Sequence, residues 1–153
     1  MEIVEDSLED DLDEFLERRL MAHIATNSED GGRHAPVWYL WEDGAIWIIA
    51  DSSKRTFPDR IKRDPRIAIG IVDFDPETGR LHHVGLRGRA TIESHDPGRA
   101  ERLMRRYFRA EKDDWNRDRY GDPQEWGDEM VFIRFDPETV VARDQSYVVP
   151  GTE

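Results

Sequence analysis

Pro36-Val37-Trp38-Tyr39-Leu40-Trp41-Glu42-Asp43-Gly44-Ala45-Ile46-Trp47-Ile48-Ile49-Ala50 is the stretch on which the fold turns. Asp43-Gly44 supplies the positive-φ positions of a tight hairpin turn. It sits between an aromatic-rich strand predicted over His34 to Trp41 and a second strand over Ala45 to Ala50. Ile46 to Ile49 is apolar without alternation, which predicts a strand covered on both faces. Two strands joined by a two-residue turn are antiparallel neighbours, so a sheet built from hairpins is expected at the centre of the chain.

Working outward, His23-Ile24-Ala25-Thr26 reads as a strand and the polar run Asn27 to Gly32 as the turn after it. Upstream, Ser7 is a candidate N-cap for an acidic helix over 7–21, with Leu8, Leu12, Phe15, Leu16 and Leu20 on one stripe. Downstream, Thr56-Phe57-Pro58-Asp59 opens a short helix that must stop before Asp64-Pro65. Arg66 to Asp73 alternates with Ile67, Ile69 and Ile71 inward. Asp75 to Gly79 is a turn, and Leu81 to Glu93 is a long strand whose Gly85 and Gly88 mark a bulge or corner. Asp96-Pro97 starts an amphipathic helix with Ala100, Leu103, Met104, Tyr107 and Phe108 on its core face. The polar stretch 111–128 carries Trp115, Tyr120 and Trp126 and is expected to cover something. Two last strands are predicted, Met130 to Phe135 and Thr139 to Asp144. Short strands in hairpin order with helices at the crossings argue an α+β barrel and not a doubly wound parallel sheet.

Composition narrows the function classes. The 153 residues suit one domain, 1–153, ending in a short tail over 145–153. The net charge is −12, with 19 Arg and 3 Lys among the 22 cationic residues. A surface of this sign repels nucleic acid and anionic membrane. Dense acid with scarce Lys suits a high-salt cytoplasm, where the screening length falls to roughly 3 Å; it suits equally an acidic, Arg-rich chain from elsewhere. Without cysteine there is no disulfide and no thiolate ligand or nucleophile. Nine acids and no base lie between Met1 and Glu17, the reverse of a secretory leader. A soluble, cytoplasmic protein is expected.

Against that acidic background, Ser52 to Arg66 inverts the sign. Lys54, Arg55, Arg60, Lys62, Arg63 and Arg66 outnumber Asp59 and Asp64 by six to two. Hydroxyls at Ser52, Ser53 and Thr56 beside a helix start and these bases suit a phosphate. The same bases suit a solvated helix face that offsets the neighbouring acid. The apolar hairpin wall adjoins this run, so a flat ring bearing a phosphate tail would find apolar faces and cations together. His82-His83 cannot chelate one ion, because adjacent strand residues face opposite ways, and no metal site is expected. No nucleophile elbow, phosphate-binding Gly-rich loop or dinucleotide fingerprint is present.

The succession His23-Ile24-Ala25-Thr26, Pro36-Val37-Trp38-Tyr39, Asp43-Gly44, Ser52-Ser53-Lys54, Asp64-Pro65-Arg66-Ile67-Ala68-Ile69 and Val84-Gly85-Leu86-Arg87-Gly88-Arg89-Ala90 resembles the pyridoxamine 5′-phosphate oxidase-related FMN-binding split-barrel superfamily. The resemblance covers about residues 8 to 110. It implies a six- to seven-stranded antiparallel split β-barrel with flanking helices, and a homodimer with the cofactor at the subunit interface. It implies an FMN-binding oxidoreductase, with an F420-dependent reductase or a non-catalytic flavin-binding redox module as alternatives. By the same resemblance Pro36, Val37 and Trp38 contact the ring, Ile49 and Ala50 lie beside ring and ribityl chain, and Ser52, Ser53 and Lys54 hold the phosphate. Arg55 and Arg60 assist, and His83 faces the partner subunit's flavin. No side chain is implied as acid, base or nucleophile. Phe57 to Ile61 lacks the Asn that many relatives place there, and the tail 140–153 lacks the Trp and Arg set of the true oxidase, so vitamin B6 oxidation is not implied.

Overall fold

The computed structural model describes residues 1–151; Thr152 and Glu153, the end of the expected tail, lie outside the described residues. Strands are β1 Glu2–Asp6, β2 Ala22–Ser28, β3 Gly31–Val37, β4 Leu40–Glu42, β5 Ala45–Asp51, β6 Arg66–Asp75, β7 Arg80–Ser94 and β8 Met130–Asp144. Helices are α1 Leu12–Leu16, α2 Phe57–Arg63, α3 Pro97–Phe108 and α4 Arg117–Tyr120, with single 3-10 turns at Lys112–Asp114 and Pro123–Glu125. The strands form one sheet in the order β3-β2-β6-β7-β8-β5-β4, antiparallel throughout, with β1 added parallel to β8. The sheet does not close, and its eight strands exceed the expected six to seven. Among the described residues no helix is long and apolar enough to cross a membrane.

Alternation does most of the positioning. On β2 the buried residues are Ala22, Ile24 and Thr26, and on β6 Ile67, Ile69 and Ile71. They meet Leu86, Ile46, Ile48, Phe135 and Val140 in one core, closed by Phe15 and Leu16 of α1 and by Phe57 and Ile61 of α2. A second apolar cluster lies on the other side of β5, where Ala45, Trp47 and Phe132 pack on Ala100 and Leu103 of α3. The unbroken apolar run of β5 is therefore buried on both faces, as its sequence predicts. The hairpin turn is also as expected, with Asp43 at φ 57° and Gly44 at φ 69°. Asp96 caps α3 by accepting from the Arg99 amide at 3.2 Å.

Three expectations need correction. The helix over 7–21 is only α1, capped at Asp11, and Ser7 is not its cap. Residues 2–6 instead pair with Thr139 to Ala142, and the Ser7 hydroxyl accepts from the Asp144 amide at 2.9 Å. Acids at i, i+4 spacing between Glu5 and Glu17 repel one another in a helix, and Ser7, just after β1, is held to β8 by its amide on the Ala142 carbonyl and its hydroxyl on the Asp144 amide. The strand over His34 to Trp41 breaks at Trp38 and Tyr39, so β3 pairs with β2 and β4 with β5. Tyr39 leaves the ladder because its amide donates to the Tyr107 hydroxyl at 3.0 Å and its own hydroxyl donates to the Arg18 carbonyl at 3.1 Å. The two final strands are one, β8. Its register against β7 shifts at Arg87 and Gly88, where Gly88 faces Pro137. A proline without an N–H fits at such a slip, and a Cβ on Gly88 would stand 2.2 Å from the Asp136 carbonyl oxygen.

Candidate functional site

Between β3, β5, α3 and the segment after α3 lies an open cleft of about 600 Å³. One wall is apolar and comes from the hairpin region: Pro36, Val37 and Trp38 from the end of β3, with Ile49 and Ala50 from β5. Trp38 is fixed by stacking on Tyr107 of α3, centroids 4.8 Å apart, and by edge contact with Phe108 at 5.4 Å. Leu103 and Met104 of α3 close the back. The third side is built by the segment 111–128, which places Arg119, Tyr120 and Trp126 on the cleft.

That segment is held by polar contacts its sequence does not advertise. Lys112 lies 2.9 Å from a Glu101 oxygen and 2.7 Å from an Asp122 oxygen, and these bonds hold both carboxyls below their usual range. The Trp126 indole donates to the Tyr120 carbonyl at 3.0 Å, and His95 Nε2 lies 2.7 Å from the Pro123 carbonyl. Trp115 is buried against Phe108 and does not reach the cleft. The expectation of an aromatic cover thus holds, shared between a buried prop and two lining residues.

The loop after β5 brings cations to the rim. Lys54 and Arg55 line the cleft beside Asp51 and Glu129. Asp51 accepts from the Ser53 hydroxyl at 2.5 Å and the Ser53 amide at 3.0 Å, with Lys54 Nζ 3.8 Å away. These donors, the Ser53 hydroxyl first, lower its carboxyl below the usual value. Asp51 therefore occupies donors of the kind that grip a phosphate oxygen. Ser52 turns its amide and hydroxyl to the Glu129 carbonyl, at 2.7 and 2.8 Å, which ties the loop to the start of β8.

Of the eleven residues expected from the sequence, seven line this cleft: Pro36, Val37, Trp38, Ile49, Ala50, Lys54 and Arg55. Ser52 and Ser53 shape the loop behind it. Arg60 points elsewhere, donating to the hydroxyls of Thr26 at 2.7 Å and Thr56 at 2.6 Å. His83 lies on β7 away from the cleft. Through the register Pro36, His23, Gly70, Gly85 it shares a sheet face with Pro36. Its direct neighbour on β6 is Val72, 43% exposed, and Phe74 follows at 51%. Of the lining residues missed in the sequence, Asp51 and Phe57 flank the predicted loop, while Met21, Leu103, Met104, Arg119, Glu129 and Met130 come from elements distant in the chain. No alternation or spacing signal links them. Among the described residues no cluster of His, Cys, Asp or Glu could hold a metal ion.

Comparison with known proteins agrees with this architecture. Residues 8–144 match the sequence model of the pyridoxamine 5′-phosphate oxidase family. No curated protein matches the chain. Among solved structures, the conserved hypothetical protein Rv2991 from Mycobacterium tuberculosis superposes with a TM-score of 0.70, at 20% identity over 97% of this chain and 98% of that one. A protein named F420 reductase superposes with a TM-score of 0.64, at 22% identity over 87% of this chain and 98% of that one. A FAD-binding protein from Mesorhizobium loti reaches 0.62, at 15% identity over 88% and 92% of the two chains. At these identities the likeness establishes the split-barrel fold.

Proposed function

The chain belongs to the pyridoxamine 5′-phosphate oxidase family, and from that premise we propose that it is a flavin-dependent oxidoreductase holding FMN in the cleft. The observation that carries this reading is the convergence of seven residues, from three separate places in the sequence, on one cleft with an apolar wall and a cationic rim. Its volume of about 600 Å³ falls within the usual range for small-molecule sites, roughly 300 to 1,000 Å³. The residues present fit the group: Pro36, Val37 and Trp38 face one side of a planar ring, Ile49 and Ala50 carry the chain toward the rim, and Lys54 and Arg55 neutralise a phosphate. When bound, the ring carries the hydride or electrons. The protein's part would be to hold and orient it beside a small-molecule substrate, with Trp126 and Tyr120 limiting the access of water to the cleft.

The second reading is a reductase using F420 in the same cleft. It is supported by the further bases that follow the cleft's cations in the sequence, Lys62 and Arg63, both exposed, which suit a longer anionic tail, and by the likeness to the structure named F420 reductase. In either case the working unit is a homodimer in the cytoplasm. The dimer is supported by the exposed Val72 and Phe74 beside His83, on the face that also carries Pro36. Titrating the purified protein with FMN and with F420, while following the visible spectrum, tests the reading. Saturable binding of FMN that weakens in the Lys54→Ala, Arg55→Ala double variant supports it; saturable binding of F420 alone moves the assignment to the second reading; binding of neither overturns both.

A further inference from the structure

Away from the cleft, the outer face of the sheet carries a groove of about 540 Å³ lined by Arg66, Arg87 and Arg89. Its floor is small, with Ala25 of β2 beside Ala68 of β6, and Ala68 beside Arg87 of β7. Arg66 and Arg89 are direct cross-strand partners, and Arg87 follows Arg89 two residues along the same strand face, about 7 Å away. Like charges directly opposite each other destabilise a sheet. The carboxylates nearby offset this only in part. Glu138 lies 3.4 Å from Arg89, itself exposed, while Asp64 is occupied by the Asn27 side chain and the Arg66 amide. Among the described residues neither Arg66 nor Arg87 has an ion pair, in a chain whose acids outnumber its bases by 34 to 22. Val72 and Phe74, the exposed apolar pair, lie on the same sheet face, four and six residues beyond Ala68, about 13 and 20 Å along β6.

We propose that this groove is a second binding site, for a small organic anion carrying a diphosphate or two adjacent phosphates. Three arginines whose backbone positions lie within about 7 to 8 Å, two of them without an ion pair and Arg89 shared with Glu138 of the same groove, suit oxygens distributed over two phosphorus centres better than a single carboxylate. The alanine floor leaves room for the organic part, and the like-charge cost between Arg66 and Arg89 is removed when the anion sits between them.

The test is isothermal titration with inorganic pyrophosphate at low salt, comparing the full chain with Arg66→Ala, Arg87→Ala and, as an equal loss of charge elsewhere, Arg134→Ala. Saturable binding is expected that is weakened roughly tenfold or more by either groove variant, little changed by Arg134→Ala, and retained in the Lys54→Ala, Arg55→Ala double variant, which removes the cations of the cleft. Without ligand, Arg66→Ala should melt no lower than the unaltered protein, because a repulsion is relieved. The proposal is overturned if no saturable binding is seen or if all three variants weaken it alike. It is also overturned if the protein is dimeric, Arg66→Ala makes it monomeric, and pyrophosphate binds neither, since the patch is then an interface between copies.

Discussion

Glu42 ties α3 to the β4–β5 hairpin, and its removal should loosen the cleft from behind. One oxygen accepts from Arg99 Nε at 2.8 Å and from an Arg102 terminal nitrogen at 2.6 Å; the other accepts from Arg102 Nε at 3.0 Å. Arg99 is itself stacked 3.5 Å over the Trp47 ring, so the pair anchors the second apolar cluster. In Glu42→Gln the shape is kept and the charge is lost. The amide oxygen can keep two of the three bonds as neutral ones, while the third, from Arg102 Nε, is lost because the amide –NH2 is a donor and cannot accept it, a loss of about 1 kcal/mol apiece. Arg102 is half exposed and Glu42 about one-fifth exposed, and solvent screening reduces the sum to about 2 kcal/mol. For a domain of this size that lowers the melting temperature by roughly 4 to 8 °C. The pH dependence has a definite sign. Bonds from Arg102 and Arg99 hold the Glu42 carboxyl below its ordinary value of 4.5, so its contribution is present above that value and is lost as pH falls through the lower folded value. Circular-dichroism melts of both proteins at neutral pH and at stepwise lower pH should show a gap that closes in acid. A difference within about 1 °C at neutral pH, or a gap unchanged in strong acid, would refute the reasoning.

Three further outcomes follow from the geometry. Gly88→Ala places a methyl 2.2 Å from the Asp136 carbonyl oxygen, and urea denaturation should record a loss of about 1 to 3 kcal/mol; a neutral result would mean the slip in β8 is not held there. Asp51→Asn keeps an acceptor for Ser53 while removing the anion that competes for Lys54; at about 1 kcal/mol for one nearby charge in water, FMN should bind roughly fivefold tighter, and weaker binding would place the phosphate away from this loop. Lys54→Ala and Arg55→Ala should each weaken FMN roughly tenfold, read by equilibrium titration, with the melting temperature of the cofactor-free protein nearly unchanged.

Much of the sheet was legible because its signals are local. The apolar run Ile46 to Ile49, the alternation Ile67, Ile69, Ile71 and the Asp43-Gly44 turn each constrain backbone and burial within a few residues. β1 was not legible: its side chains are exposed, and only the distant edge of β8 gives it a reason to be a strand. The continuity of β8 through Asp136-Pro137 was hidden for a similar reason, since a proline reads as a break unless its partner is known to be Gly88. In the cleft, the wall from β3 and β5 and the cations of the following loop were readable from neighbouring motifs. Arg119, Tyr120 and Trp126 reach it from a segment held by Lys112 on Glu101 and Asp122 and by His95 on the Pro123 carbonyl, a choice of partners that spacing alone does not encode. Arg60 misled as a phosphate ligand because the hydroxyl of Thr26, 34 residues away in sequence, takes it instead.

The most direct test of the central claim is the visible spectrum of the purified protein, followed by titration of the emptied protein with FMN and, separately, with F420. Saturable binding of a flavin-type cofactor is expected, lost or sharply weakened when Lys54 and Arg55 are both alanine. Absence of saturable binding by either compound to a folded protein would contradict it.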